Sequence, residues 1–116
     1  MARETKRYKV LEYVRDNGRC PFRVWLETLP ILVQARIQAR IARFETGNVG
    51  DRKSLGGGVY EARLLFGPGY RLYFGVNRSV VIVLLCGGDK SSQRRDIGRA
   101  KKYWRDYLEG DDNGQT

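Results

Sequence analysis

The segment from Val59 to Lys90 limits the possible folds of this chain more than any other segment. It contains three apolar runs of strand length, VYEARLLF, YRLYFGV and VVIVLLC, which are rich in β-branched and aromatic residues. Turn residues, Gly-Pro-Gly and Asn-Arg-Ser, separate these runs. The segment therefore predicts a three-stranded antiparallel meander.

The first two predicted strands alternate between apolar and polar side chains, so they should have one apolar face and one polar face. The polar positions are Glu61, Arg63, Arg71 and Tyr73. We expect these four side chains to form one polar patch. The third strand, residues 80–86, is apolar in both phases, which predicts a strand that is covered on both sides.

The rest of the chain predicts one more strand and three helices. The strand spans residues 8–14 and is followed by an Asn-Gly turn. A proline at the first helical position and an apolar stripe predict a short helix over 21–30. A second helix is predicted over about 31–46, a mobile glycine-rich loop over 48–58 and a last helix over about 92–109.

This order of elements predicts an α+β domain, mainly an antiparallel sheet of about four strands, with two N-terminal helices and a C-terminal helix. We expect the helices to lie against one sheet face, which leaves the other face partly open and concave. At 116 residues the chain is large enough for one core only. Residues 1–110 are the predicted domain, and 111–116 are predicted to be an acidic, disordered tail that begins after Gly110 stops the helix.

The charge balance is strongly positive, with 22 Lys and Arg against 13 Asp and Glu and a net charge of +9. This balance favours a polyanionic partner, which is nucleic acid, an acidic protein segment or a membrane surface. The N-terminus is charged and the longest apolar run is far too short to span a membrane, so we expect a cytoplasmic protein without a membrane segment. Cys20 and Cys86 are predicted to be reduced and structural, because no spacing indicates a metal site.

The sequence contains no histidine, which excludes acid–base catalysis by an imidazole. The remaining polar groups suit phosphate chemistry, since the guanidinium groups of Arg63 and Arg71 match the geometry of a phosphate. The candidates for proton transfer are Glu61, Tyr73, Asp89, Lys90 and Lys53. The competing interpretation is that the strand residues form only cross-strand ion pairs of little energetic value.

A second basic group lies on the long predicted helix, where Arg36, Arg40 and Arg43 follow one another at helical spacing. One interpretation is a solvated helix face. The other is a basic surface that binds phosphates or an acidic partner segment.

Four segments together closely resemble the addiction-module killer proteins, the HigB-like or phage Gp49-like branch of the RelE/ParE toxin superfamily. The segments are CPFRVWLETL, ARIQARIARFETGNVGD, GVYEARLLFGPGYRLYFG and LLCGGDKSSQRRDIGRAKKYWRDY, and the resemblance covers about residues 8–108. It implies an α+β fold of the RelE type and a small basic toxin of a type II toxin–antitoxin pair. It also implies a cognate antitoxin, often of the helix-turn-helix type, which blocks the toxin.

Activity within this superfamily divides into two classes. RelE-like and HigB-like members cut mRNA in the ribosomal A site, whereas ParE-like members poison DNA gyrase. The resemblance therefore implies a ribosome-dependent mRNA endonuclease without metal or other cofactor, and a non-enzymatic gyrase inhibitor is the alternative. A third hypothesis is a basic module whose real partner is the antitoxin. We expect a monomeric free toxin that forms a hetero-oligomer with its antitoxin.

The resemblance also assigns roles to residues of the predicted site. Arg71, in the GYR segment, matches the arginine of RelE-type endonucleases, and Arg63 matches the arginine of the preceding strand. Asp89 and Lys90 stand where ribonuclease members carry further active residues. The expected catalytic residues are therefore Arg63, Arg71, Asp89 and Lys90, and the expected RNA contacts are Lys53, Arg36, Arg40, Arg43 and Tyr73. The chain departs from the family by lacking histidine and by having Glu61 in place of a Lys-x-Lys pair.

Overall fold

The chain folds into an α+β structure with a five-stranded mixed sheet and three α-helices. The structure is a computed structural model that describes the backbone of residues 7–113 and the side chains of residues 7–110. The strands are β1 (Lys9–Glu12), β2 (Arg52–Gly56), β3 (Val59–Arg63), β4 (Arg71–Asn77) and β5 (Val81–Gly88). The helices are α1 (Pro21–Glu27), α2 (Ile31–Glu45) and α3 (Gln93–Asn113), and a single 3₁₀ turn, Lys90–Ser92, precedes α3.

The strands follow the spatial order β1-β5-β4-β3-β2. Strands β3, β4 and β5 form the predicted antiparallel meander, and β1 pairs in parallel with β5. Helices α1 and α2 occupy the predicted positions, because Pro21 begins α1 and Gly47, with a φ of +92°, follows the end of α2. The predicted α+β class is therefore confirmed.

Strand β2 differs from the prediction, which placed a mobile loop over residues 48–58. Arg52–Gly56 instead pairs with β3 in an antiparallel ladder, and Gly57 and Gly58 take left-handed conformations in the connecting turn. The segment shows no apolar alternation because β2 is a sheet edge whose side chains are mostly exposed. Its pairing depends on a partner strand and cannot be read from its own composition.

The sheet carries helices on both faces, so the expected open concave face is wrong. On one side α1 and α2 pack against the sheet through a core that includes Phe22, Ile37, Phe44, Leu72 and Phe74. On the other side α3 covers the meander through a second core that includes Val83, Leu85, Ala100 and Trp104. The expectation of one core only is therefore wrong, because the sheet separates two clusters of buried side chains. The prediction that β5 is covered on both sides is confirmed.

Trp104 fixes the position of α3 on the second face. A Cβ atom at Gly75 would lie 2.2 Å from the Trp104 ring, so β4 needs a residue without a side chain at that position. The indole Nε1 also donates a hydrogen bond to the Gly57 carbonyl at 3.0 Å. Helix α3 is thereby joined to β4 and to the turn between β2 and β3.

Strand β5 contains a bulge near its C-terminal end. Tyr73 is opposite Cys86 and Phe74 is opposite Leu84, so Leu85 is an additional residue in the ladder. Leu85 and Cys86 both pack into the core beneath α3. The bulge changes the alternation of β5, and Gly88 consequently faces Asp96 of α3.

Helix α3 continues past Gly110 to Asn113, beyond the predicted end. Residues 114–116 of the predicted tail lie outside the described residues. Among residues 7–113, no helix combines the length and the apolar character needed to cross a membrane.

Candidate functional site

The four residues that were expected to be catalytic lie at one end of the sheet. Arg63 ends β3 directly opposite Arg71, which begins β4, and Arg71 is in turn opposite Gly88 at the end of β5. Asp89 and Lys90 follow β5, and the Lys90 amide donates a hydrogen bond to the Pro68 carbonyl in the turn before β4. We call Arg63, Arg71, Asp89 and Lys90 the strand-end cluster.

Two arginines directly opposite each other repel unless other charges compensate them. Each one has a carboxylate nearby: Arg63 Nη2 lies 3.3 Å from Asp51 Oδ1, and Arg71 Nε lies 3.5 Å from Glu61 Oε1. The first pair is exposed, whereas Arg71 is 12% exposed and Glu61 is 1% exposed. The two arginines therefore differ, since Arg63 is a surface side chain and Arg71 is largely buried.

The guanidinium group of Arg71 is held on two sides. Its Nη1 donates to the Gly69 carbonyl at 2.8 Å, and its buried Nε faces Glu61 without forming a hydrogen bond to any described residue. Glu61 is held from behind, because its Oε2 accepts a hydrogen bond from Gln93 Nε2 at 2.9 Å. A chain of contacts thus runs from the first residue of α3 to Arg71.

The expected polar patch is smaller than predicted, because Glu61 and Tyr73 are buried beneath α3. Tyr73 is fully buried and does not reach the surface at which RNA was expected to bind, so this expected contact is wrong for the folded chain. Burial, together with the Glu61 carboxylate, raises the pKa of Tyr73. Neither an RNA contact nor a base at neutral pH is available from this side chain.

Asp89 and Lys90 are positioned by the turn before α3. The Asp89 carboxylate accepts hydrogen bonds from the Ser91 hydroxyl at 2.5 Å and the Ser91 amide at 2.8 Å. The Ser91 hydroxyl bond is the main cause that lowers the pKa of Asp89, and Arg71 contributes in the same direction. Asp89 is therefore ionised at neutral pH, beside the exposed Lys90.

Asp89 caps the 3₁₀ turn that precedes α3. Ser92 donates its hydroxyl hydrogen to Asp96 Oδ2 at 2.5 Å, and Asp96 is 2% exposed. A Cβ atom at Gly88 would lie 1.9 Å from that carboxylate oxygen, so only glycine fits there. The Gly-Gly pair that ends β5 was the sequence signal for this close approach.

Sequence reasoning missed three polar residues near the cluster. Gln93 was not predicted to contact Glu61, because they are 32 residues apart and no local pattern joins them. An open depression of about 530 Å³ is lined by Ser91, Ser92, Arg94 and Arg95, and the sequence analysis gave these two arginines no role in the site. Both arginines are exposed and add positive charge to the first turn of α3.

The three arginines of α2 have three different environments. The Arg36 guanidinium lies 3.7 Å from the centre of the Phe66 ring, and Arg43 is exposed. Arg40 donates hydrogen bonds to the carbonyls of Val49, Asp51 and Arg63. Burial lowers the pKa of Arg40, which is occupied with backbone oxygens. The α2 stripe is therefore not a uniform phosphate-binding surface, and its middle member fixes the backbone around the end of β3.

Lys53 lies on strand β2 and not on a loop. It is opposite Glu61 in the ladder, and it is exposed. It therefore stands two register positions away from Arg63, on the edge strand of the sheet. Among the described residues, no group of three His, Cys, Asp or Glu side chains is arranged to hold a metal ion.

Comparison with known proteins shows which family the chain falls into. No protein-family model matches the chain. A Haemophilus influenzae (strain Rd) protein, described as uncharacterized, is 48% identical over 81 residues, which span 69% of this chain and 82% of that protein. The chain belongs to the family of this Haemophilus influenzae protein. Since the description of the relative names no activity, the function of this family has to be argued from the site.

Proposed function

We propose that this protein is the toxin of a type II toxin–antitoxin pair in the RelE/ParE superfamily, and that it inhibits translation by cutting mRNA on the ribosome. The observation that carries the proposal is the strand-end cluster, in which Arg63 and Arg71 stand directly opposite each other with Lys90 at the same end of the sheet. A net charge of +9 favours a polyanionic substrate. The resemblance to the killer proteins supplies the reaction type.

The two arginines suit the transition state of RNA cleavage by the neighbouring 2′-hydroxyl. In this reaction the 2′-oxygen attacks phosphorus, the bond to the 5′-oxygen breaks, and negative charge develops on the non-bridging phosphate oxygens. Arg71 is oriented in advance by Gly69 and Glu61, which lowers the reorganisation needed when that charge develops. Arg63 exchanges the exposed Asp51 carboxylate for the phosphate when RNA binds.

Asp89 and Lys90 are the groups of the cluster that carry protons. The Asp89 carboxylate accepts the proton of the 2′-hydroxyl, and the Lys90 ammonium group donates one to the leaving 5′-oxygen. Because its pKa is lowered, Asp89 is a weak base. We therefore expect slow cleavage of free RNA and fast cleavage only where the ribosome orients the mRNA.

The proposal includes the partners that such a toxin requires. A cognate antitoxin, of the helix-turn-helix type, binds the monomeric toxin in a hetero-oligomer and blocks it. The protein acts in the cytoplasm, where mRNA and ribosomes are present, and needs no cofactor.

The test is induced expression without antitoxin, followed by primer extension on cellular mRNA. We expect discrete new 5′ ends in translated frames, which disappear when translation is blocked. Arg63→Ala and Arg71→Lys should lower the cleavage rate by about 100-fold, because each removes one fixed guanidinium fork.

Arg105→Ala is the matched control, since Arg105 is exposed on α3 about 18 Å along the helix from Gln93. Its cleavage rate should equal that of the parent. If folded Arg63→Ala and Arg71→Lys proteins arrest growth and cut mRNA as the parent does, the strand-end cluster is not the active site.

Burial of Glu61 and Tyr73 favours a second candidate, the non-enzymatic inhibitor of DNA gyrase. It removes two of the proposed proton-transfer groups and leaves the cluster with Asp89 and Lys90. Plasmid supercoiling measured in the same cultures separates the two functions. Intact mRNA with altered supercoiling would contradict the endonuclease hypothesis and support the gyrase inhibitor. Expression that does not impair growth would favour a module that binds only its antitoxin.

A further inference from the structure

A buried carboxylate lies directly beneath the strand-end cluster. Glu61 is 1% exposed, and burying a carboxylate is costly unless donors compensate it. Its Oε2 accepts a hydrogen bond from Gln93, and its Oε1 faces Arg71 Nε at 3.5 Å. Both oxygens are therefore directed towards specific donors on two different elements, α3 and β4.

We propose that Glu61 and Gln93 are positioning residues that hold the Arg71 guanidinium in the orientation that receives an RNA phosphate. The inference rests on the proposed function, since it specifies how the arginine of that site is oriented. Neither Glu61 nor Gln93 contacts the substrate, because each acts through Arg71.

The register of the sheet makes this contact possible. Glu61 is opposite Tyr73 and Arg71 lies two residues earlier on β4, so the carboxylate and the guanidinium are diagonal neighbours on one face. The strand-end position leaves Arg71 at the boundary between the buried face and solvent, with 12% of its side chain exposed.

The contacts leave one side of the guanidinium group available. Nε faces Glu61 and Nη1 donates to the Gly69 carbonyl, whereas Nη2 donates no hydrogen bond to any residue that the structure describes. Gly69 has a φ of +78°, and a Cβ atom there would lie 3.2 Å from Nη1. The glycine therefore lets the turn approach Arg71 closely and hold it before any ligand binds.

Stability alone does not explain this buried pair. Replacing a buried ion pair by apolar side chains of similar volume is often neutral or stabilising, whereas a fixed donor at a reacting phosphate accelerates the reaction. Gln93 fits this role because its neutral amide donates a hydrogen bond to the Glu61 carboxylate. A cationic side chain at this position would compete with Arg71 for the negative charge of Glu61.

The test compares Gln93→Met with the parent, and Gln38→Met, on the exposed face of α2, is the control. Methionine keeps the length of glutamine but donates no hydrogen bond. The first measurement is the NMR resonance of the Arg71 Nε–H group, identified by its loss in Arg71→Lys. We expect Gln93→Met to move this resonance towards that of exposed arginines, and Gln38→Met to leave it in place.

The second measurement is the rate of mRNA cleavage on ribosomes. Gln93→Met should lower the rate at saturating ribosome–mRNA complex about tenfold and leave the half-saturating concentration within about twofold, because a misplaced arginine affects the transition state most. If Gln93 had a purely structural role, Gln93→Met would lower the unfolding temperature without lowering the saturated rate selectively. Glu61→Gln keeps the volume of the side chain and removes its charge, and should show the same two effects if Gln93→Met does not fold.

The inference is wrong if the Arg71 resonance does not move, or if it moves while the cleavage rate stays at the parent value. A parent protein that cuts no mRNA refutes the proposed function instead. The positioning inference is then decided by titrating a short single-stranded RNA oligonucleotide. The inference holds if RNA shifts the Arg71 resonance in the parent and binds Gln93→Met more weakly, and it fails if RNA leaves that resonance unchanged.

Discussion

Burial separates the residues of the polar sheet face into two chemical groups. Glu61 and Tyr73 lie beneath α3 and are almost inaccessible to water, whereas Arg63 is at the surface. Glu61 has polar partners in Gln93 and Arg71, whereas the buried Tyr73 hydroxyl has no hydrogen-bond partner among the described residues. An external ligand can therefore reach the strand-end residues but not Glu61 or Tyr73.

Tyr73→Phe tests this separation directly. The Tyr73 hydroxyl is buried and has no hydrogen-bond partner among the described residues, so its removal leaves no donor or acceptor unpaired. We expect the free energy of unfolding in urea to stay the same or to rise by up to about 1 kcal/mol. Cleavage of mRNA should be unchanged. A large loss of cleavage with unchanged stability would show that the hydroxyl reaches the substrate.

An ion pair far from the cluster predicts a pH dependence of stability. Arg23 binds Glu12 through two hydrogen bonds, 2.6 Å and 3.1 Å long, and the resulting contact lowers the pKa of Glu12 below its usual 4.5. A carboxyl group with a lowered pKa in the folded state stabilises that state above pH 4.5, and the stabilisation disappears as the pH falls through the folded-state pKa.

Glu12→Gln should therefore cost about 0.5 kcal/mol of unfolding free energy at pH 7, because the pair is partly exposed, and less at pH 3. Urea unfolding at the two pH values measures this difference. Glu109→Gln, at an exposed position of α3, is the control and should have no effect at either pH. An equal loss at pH 3 and pH 7 would contradict the assignment of the effect to the ionised carboxylate.

Among the secondary-structure elements, α3 determines most about the site. It covers the second sheet face, supplies Gln93 to Glu61 and holds the turn that contains Asp89. Its docking depends on the contact between Trp104 and the bare backbone at Gly75. Gln93 and Trp104 lie on the same helix, 11 residues apart. The orientation of Arg71, which depends on Gln93 through Glu61, is consequently coupled to the packing of Trp104.

Gly75→Ala should weaken this docking. The added Cβ atom would lie 2.2 Å from the Trp104 ring, and overpacking of this kind typically costs about 1–3 kcal/mol. Gly98→Ala is the matched control, because Gly98 is within α3 and a Cβ atom there meets nothing within 4 Å. We expect the control to raise the free energy of unfolding by about 0.5–1 kcal/mol through helix propensity. Equal effects of the two changes in urea unfolding would contradict the docking account.

For the whole molecule, the net charge is +9, and the fold determines where the exposed arginines lie relative to the strand-end cluster. Arg40 of α2 donates a hydrogen bond to the Arg63 carbonyl, so the α2 stripe adjoins the strand-end cluster from one face of the sheet. Arg94 and Arg95 are exposed on α3, which covers the other face. Under the proposed function, these arginines are the groups that contact the phosphates of the RNA.

Binding of single-stranded RNA should therefore weaken steeply with salt. Each phosphate contact contributes a slope of about −0.7 to the logarithm of affinity against the logarithm of salt concentration. Arg43→Ala should make this slope shallower by about 0.7, and Arg105→Ala should leave it unchanged. Fluorescence anisotropy across a salt series measures both slopes. If Arg43→Ala has no effect on the slope, the outer arginines of α2 are an ordinary solvated face.

The sequence by itself determined the features that depend on neighbours a few residues apart. The alternation in β3 and β4, the Asn-Gly turn, the proline that begins α1 and the apolar stripes of the helices each follow from local periodicity or turn chemistry. Arg63, Arg71, Asp89 and Lys90 lie at one end of the sheet, because β3, β4 and β5 form a meander whose ends adjoin.

Only the tertiary structure decided which of those residues are accessible and what they contact. The pairing of β2, the covering of the second face by α3, the use of Arg40 to bind backbone carbonyls and the contact of Gln93 with Glu61 all join distant segments. The physical reason is that burial and hydrogen bonding depend on which surfaces meet in three dimensions, and a strand's alternation specifies two faces without specifying what covers them.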